Sequence, residues 1–175
     1  FSLNVDLFSG YFMTPHNFNG SGNVDYALNR SFCGGMYENV YLHIFNNTRR
    51  LIASCDEQGL TDYAGMMRVV QAYAIQMLTD AYGPVAYSSV IEDPTGGASF
   101  SYDTQESVYN SIFELLDKAL QDFQSPKSTL EERQSFDYWC NGDLDMWIQV
   151  ANQLKLRAAL RIVKADPTLA KQKAE

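Results

Sequence analysis

Apolar residues return at helical spacing along most of this chain. Between residues 31 and 55, Phe32, Met36, Val40, Ile44, Leu51 and Cys55 lie close to one stripe. Steps of three and four put side chains on one face of a helix. Gly34 and Gly35 fall near its start and cost about 1 kcal/mol each relative to alanine, so the helix is expected to begin after them. Gly59 interrupts the pattern, and a second helix is predicted over 61–82. Its apolar positions are Tyr63, Met66, Met67, Val70, Tyr73, Ala74, Met77, Leu78 and Ala81, which together form a wide buried face. Asp80 is placed on its polar side. Gly83 and Pro84 end it, because proline cannot continue a helix.

Residues 83–102 read as a long loop, a length that is usually functional or a family-specific insertion. Asp103 and Glu106 have the spacing of a capping box, with Asp in place of Ser or Thr. Phe100 and Tyr102 are assigned to the hydrophobic staple of the helix that follows. That third helix runs to about Phe123 and buries Val108, Ile112, Leu115, Leu116, Ala119, Leu120 and Phe123. A polar loop over 124–144 leads to a fourth helix, about 145–164. Asp143 and Asp145 sit at its start, and Lys155, Arg157, Arg161 and Lys164 fill its later half, as the helix dipole favours. Trp147, Ala151, Leu154, Ala158 and Ile162 share its apolar face, with Asn152 beside them. Asp166 and Pro167 then read as a cap and first-turn proline of a short final helix.

The period is therefore helical almost everywhere, which implies an all-α fold: a helical bundle or array with tetratricopeptide-like helix pairs and long irregular loops. No clean 34-residue repeat is present, so that likeness is structural only. Residues 1–30, rich in Asn, Gly and Pro, read as an irregular arm, and 31–175 as the helical part of a single domain. The alternation of Phe1, Leu3, Val5 and Leu7 is broken by Phe8 and makes a weak strand. The chain opens on Phe1 rather than Met, with no signal peptide before it, and stops at Glu175 without a helix cap. It reads as a mature product or a piece of a longer protein.

Composition narrows the choice of function. Of 175 residues 46% are apolar, enough for a real core. Thirteen basic against 21 acidic residues give a net charge of −8, which argues against binding a phosphate backbone. No apolar run reaches the 18 residues or so that a membrane-spanning helix needs. Cys33, Cys55 and Cys140 are an odd number without zinc-ligand spacing and read as small buried hydrophobes. Aromatic residues are abundant at 13%. Tyrosine, with an apolar ring and a polar tip, suits both helix packing and carbohydrate contact.

The sequence offers no catalytic constellation. His16 lies in the irregular arm and His43 in a helix between Leu42 and Ile44, and neither sits in a catalytic motif. Gly34-Gly35 and Gly96-Gly97 lack the lysine of a phosphate loop. Asp137, Asn141, Asp143 and Asp145 form an oxygen-rich patch without EF-hand spacing, read first as the start of the fourth helix. No metal or cofactor is expected. Tyr138 and Trp139 point elsewhere. A tryptophan in a polar loop either packs back on the bundle or binds something, and a flat aromatic face can stack on a sugar ring. Tyr11 and Phe12 raise the same question, as does Phe18 between Asn17 and Asn19. These rings, Trp139 and Tyr138 first, are the candidate ligand contacts.

Four blocks carry a family resemblance. Tyr82-Gly83-Pro84-Val85-Ala86-Tyr87 ends one helix, and Tyr102 to Tyr109 begins the next. Leu115-Leu116-Asp117-Lys118-Ala119 lies within that second helix. Gly142-Asp143 through Trp147, Ala151-Asn152, Leu154, Leu156-Arg157 and Arg161 forms the longest block. In this order, over roughly 61–165, they resemble the SusD/RagB family of nutrient-binding outer-membrane lipoproteins. Val85-Ala86 and Met146 depart from the family's usual residues without touching the helical pattern.

The resemblance implies a surface lipoprotein, lipid-anchored in its full length, that docks on a TonB-dependent SusC-like transporter. It implies capture of an oligo- or polysaccharide, or of a peptide, for delivery inward and without catalysis. Family members are much longer, so this chain is expected to be an N-terminal portion. The shared blocks are scaffold motifs and transfer no ligand residue. The alternative is a protein-interaction scaffold that docks on the transporter and has no ligand site in this portion. A helical glycoside hydrolase is a third and weaker reading, because no acid–base pair is identifiable.

Overall fold

The computed structural model describes residues 30–93 and 99–175, with side chains from Gly34 onward. Tyr11, Phe12, His16, Phe18, Phe32 and Cys33 lie outside those described side chains. The chain divides into two compact units, 1–43 and 44–175. In the first, helix α1 (Arg30–Asn39) passes into a π-helical segment (Val40–Phe45) that continues into the second unit. Within the first unit the rings of Tyr37 and Tyr41 lie 4.6 Å apart.

The second unit holds α2 (Asn46–Gln58), α3 (Thr61–Tyr82), α4 (Ser88–Glu92), α5 (Gln105–Asp122), α6 (Leu130–Gln134), α7 (Leu144–Ile162) and α8 (Pro167–Ala174). Among the described residues there is no strand, only an isolated antiparallel bridge between Val85 and Asp103. The all-α architecture is thus as expected.

The π segment corrects the stripe drawn along the first helix. A π turn closes i→i+5 and carries an extra residue, so every position after it is rotated away from the α-helical phase. Phe45 and Thr48 become the buried residues, while Leu51 is 48% exposed. Thr48 Oγ1 donates to Ile44 O at 2.8 Å and accepts from Gln71 Nε2 of α3 at 3.2 Å. Helix α2 ends at Gly59, whose φ of 71° is left-handed.

Helix α3 is the centre of this unit, packed against α2, α5 and α7. Its burial differs from the apolar face read from sequence: Met66, Ala74 and Leu78 are buried, but Tyr63, Met67, Val70, Tyr73 and Met77 are only half-buried and Ala81 is exposed. Neighbours on several sides enclose Val69 and Ile75 together with Asp62, Arg68, Gln71, Gln76 and Thr79. Buried charges of this kind persist only when paired. Arg68 bridges Asp56 and Asp122, and Lys118 joins Asp122 at 2.7 Å. Gly65 lets α5 come close: a Cβ there would lie 2.8 Å from the Phe123 ring. On the other side of α5, Asp117 holds Lys155 of α7 and Lys173 of α8, each at 2.7 Å.

Two expectations about the start of α5 change. Thr104, not Asp103, is the N-cap, its side chain accepting from Ser107 N. Asp103 turns back instead and accepts from the backbone N–H groups of Tyr87 and Ser88, both at 2.8 Å, and from Ser88 Oγ at 2.6 Å. Asp103 fills the position before the cap, where a staple would need an apolar residue, and Tyr102 is exposed. The loops are also less irregular than the sequence suggested, since α4 and α6 lie within them.

Candidate aromatic binding face

The loop from Ser135 to Asp143 connects two well-anchored ends. Upstream, α6 opens with a capping box between Thr129 and Glu132. Its Arg133 is buried and donates from Nε to Gly142 O at 2.8 Å and from Nη1 to Ser128 O at 2.7 Å. Asp62, at the start of α3, accepts from the Lys127 and Ser128 backbone N–H groups and from the Ser128 hydroxyl. Downstream, Asp143 caps α7, accepting from Asp145 N and Met146 N.

The turn between them needs two consecutive left-handed residues, Asn141 at φ 51° and Gly142 at φ 76°. Asparagine tolerates that conformation and glycine adopts it freely. A Cβ on Gly142 would also meet Arg133 Cβ and Gln134 N at 2.9 Å. That position therefore admits only glycine without a backbone shift.

Asp137 organises the loop from inside. Its buried carboxylate accepts from Trp147 Nε1 at 2.7 Å, Gly142 N at 2.9 Å, Trp139 N at 3.0 Å and Cys140 N at 3.2 Å. Burial pushes the carboxyl's pKa up, but these four donors outweigh it and hold it below the usual carboxylate range. The oxygen-rich patch noted in the sequence is thus engaged in folding the loop and starting α7. Among the described residues no group of three or more His, Cys, Asp or Glu side chains is placed to hold a metal ion.

With its polar groups turned inward, the loop presents rings outward. Trp139 stacks on Trp147 with ring centroids 5.8 Å apart and planes at 17°, and meets Tyr73 of α3 edge-on at 6.4 Å. It remains 58% exposed, so it both packs on the bundle and keeps a free face. Tyr138 is 94% exposed. Phe136, half-exposed, packs edge-on against Tyr63 at 5.1 Å.

Tyr138 and Trp139, consecutive in the sequence, are both exposed on this loop, and Phe136, half-exposed on the same loop, packs separately on Tyr63. Trp147 is the ring beneath Trp139, although the sequence presented it only as a core residue. Asp137 was legible only as part of an acidic patch. A hint lay in its position two residues before Trp139, the spacing at which Asp side chains bond their own backbone.

Such a face has a definite chemistry. Aromatic faces are apolar and carry a negative quadrupole. They suit a flat ligand with polarised C–H groups, and a sugar ring has such a face.

The whole chain, residues 1–175, matches the SusD-like family, described as Susd and RagB outer membrane lipoprotein. Solved structures agree. A chitin-binding SusD homolog from Flavobacterium johnsoniae is 32% identical, with a TM-score of 0.86 over 99% of this chain and 36% of its own. A SusD homolog from Bacteroides vulgatus ATCC 8482 is 28% identical, with a TM-score of 0.67 over 85% of this chain and 30% of its own. A SusD-like protein from Bacteroides thetaiotaomicron VPI-5482 is 24% identical, with a TM-score of 0.77 over 93% of this chain and 33% of its own. The chain thus spans about a third of the length of these structures. No curated protein matches it.

Proposed function

This chain belongs to the SusD-like family of outer membrane lipoproteins, and from that premise we propose that it binds glycan at the cell surface without catalysing its cleavage. The observation that carries the proposal is Trp139, more than half exposed while stacked on Trp147 and held by the Asp137 loop, with the exposed Tyr138 next to it in the chain. A preformed platform avoids the ordering cost a flexible loop would incur on binding. Each well-covered ring would contribute roughly 1–3 kcal/mol. The named chitin-binding homolog makes a soluble chitin derivative the first polysaccharide to try. Delivery to a SusC-like TonB-dependent transporter is the natural continuation of that role in the full-length protein.

Native gels containing single soluble polysaccharides test this reading. The protein is expected to be retarded by at least one of them, and Trp139→Ala to weaken that retardation by about tenfold or more in apparent affinity. Tyr138→Ala should have a smaller effect, because Tyr138 has less beneath it. Retardation unchanged by Trp139→Ala would remove the aromatic face from the account.

A second reading is a scaffold that docks on the transporter and holds no ligand itself. It is favoured by Leu156 and Leu160 on successive turns of α7 and Val163 just past its end, all three exposed. Exposed apolar patches of this kind mark protein interaction sites. Co-purification with the transporter that is lost in Leu160→Asp, together with no polysaccharide retardation, would select this reading.

A further inference from the structure

Charge is distributed unevenly around Trp139. Before its loop, Glu131 and Glu132 stand exposed on α6, and after it Asp143 and Asp145 stand exposed around the start of α7. Arg133 Nε donates to Gly142 O and so ties α6 to the end of the loop. Asp143 and Asp145 line one recess with Cys140 and Asn141, the residues that follow Trp139. Bonds from the Thr129 backbone N–H and hydroxyl hold Glu132 below the usual carboxylate range, so it is ionised at neutral pH. The N-terminus of α7 offsets only roughly half a unit of this negative charge.

No cation balances the rest. Trp139 packs on Trp147 of α7 and Tyr73 of α3. Between Arg68 and its end at Tyr82, α3 carries no basic residue, and Arg68 itself is buried and paired with Asp56 and Asp122. Arg133 is buried and faces Asp62. The first base of α7, Lys155, comes about two turns past Trp147 and is paired with Asp117, and Arg157 and Arg161 lie farther along. Among the described residues, the loop and the helix segments that meet Trp139 therefore carry no unpaired positive side chain.

We propose that the Trp139 face selects its ligand by charge, taking up uncharged saccharides and turning away those that carry sulfate or carboxylate groups. The saccharide class rests on the glycan reading above; the selection rests on the residues just named. An anionic group over this face would lose water beside carboxylates and the negative face of a ring, with no guanidinium or ammonium to replace it. A neutral sugar incurs none of that cost. At physiological salt the field of exposed charges extends about 8 Å, far enough to reach a group stacked on the loop.

Tryptophan fluorescence reads the local potential directly. The chain has two tryptophans and Trp147 is buried, so collisional quenching reports Trp139, with Trp139→Phe as background. Each quenching constant is divided by that of free tryptophan amide. The iodide ratio is expected to fall about threefold below that of neutral acrylamide, the caesium ratio to rise above it, and added sodium chloride to bring them together. Glu131→Gln combined with Asp145→Asn should raise the iodide ratio about twofold. An unchanged acrylamide ratio in that variant shows that the loop is intact. In native gels, neutral glycol chitin should retard the protein and anionic carboxymethyl chitin should not. Equal iodide and acrylamide ratios, or equal retardation by the two polymers, would overturn charge selection and leave the glycan reading in place. Exclusion of iodide with no retardation by any polysaccharide would instead overturn the glycan reading, and the saccharide part of this proposal with it.

Discussion

Asp137 and Asp80 are both aspartates drawn into the helical unit beside an aromatic donor, Trp147 Nε1 in one case and the Tyr109 hydroxyl in the other. Asp137 accepts three further backbone N–H groups from its own loop, whereas the second oxygen of Asp80 accepts none. The difference separates two ways of holding a carboxylate within the helical unit. Where a carboxylate satisfies the backbone of its own loop, it fixes a shape, and rings are left to make contact. Where a buried oxygen has only a guanidinium at 3.4 Å, it gains charge attraction without a hydrogen bond, at a cost in stability that the surrounding packing must offset.

The largest expected effect tests that contrast directly. Asp137→Ala leaves four donors without their acceptor and should destabilise the protein by about 3 kcal/mol or more. Asp80→Ala frees a single hydroxyl and should cost about 1 kcal/mol. Urea unfolding of both variants measures the pair, and equal losses would erase the distinction.

Acid provides an intermediate test. The Asp137 pKa is depressed in the folded state, as are those of Asp62, Asp103 and Asp117. A depressed folded value means the contribution is complete above the unfolded value, near 4, and is lost as pH falls through the folded value. Stability should therefore be flat from about pH 7 to pH 5 and drop steeply below about 4. Asp137→Asn should start lower and show a shallower drop, which urea midpoints across that range would reveal.

The smallest effect sharpens the other side of the comparison. Trp139 is more than half exposed, so Trp139→Ala should change stability by only about 1 kcal/mol while removing most of the polysaccharide affinity. A thermal melt beside the gel assay separates the two. A stability loss as large as that of Asp137→Ala would make Trp139 a structural residue.

Much of the fold was legible because helices announce themselves locally. The span 61–82 agrees with α3, Asp143 and Asp166 are caps as read, and the tryptophan-to-isoleucine face of α7 is turned inward at Trp147, Ala151 and Ala158. The failures have a common form. Leu51 looked buried because a regular period was carried through a π turn that shifts it. Asp103 looked like a cap because its spacing to Glu106 was right, but Tyr87 and Ser88 offered it three donors from another segment. Asp80 looked solvated because the helical period puts it on the polar side of α3, whereas Tyr109, the donor that holds it, lies 29 residues away.

The sequence by itself determined the long helices, several of their ends, the acidic balance and the presence of Tyr138-Trp139 in a polar loop. All of these depend on residues within a few turns of one another. Tertiary structure alone decided that Trp147 would lie under Trp139, and that Asp137 would lock the loop while Asp80 kept one oxygen without a hydrogen bond. Those outcomes depend on which distant donors reach each carboxylate. The burial of α3 on several sides sets that geometry, and no local period along the chain encodes it.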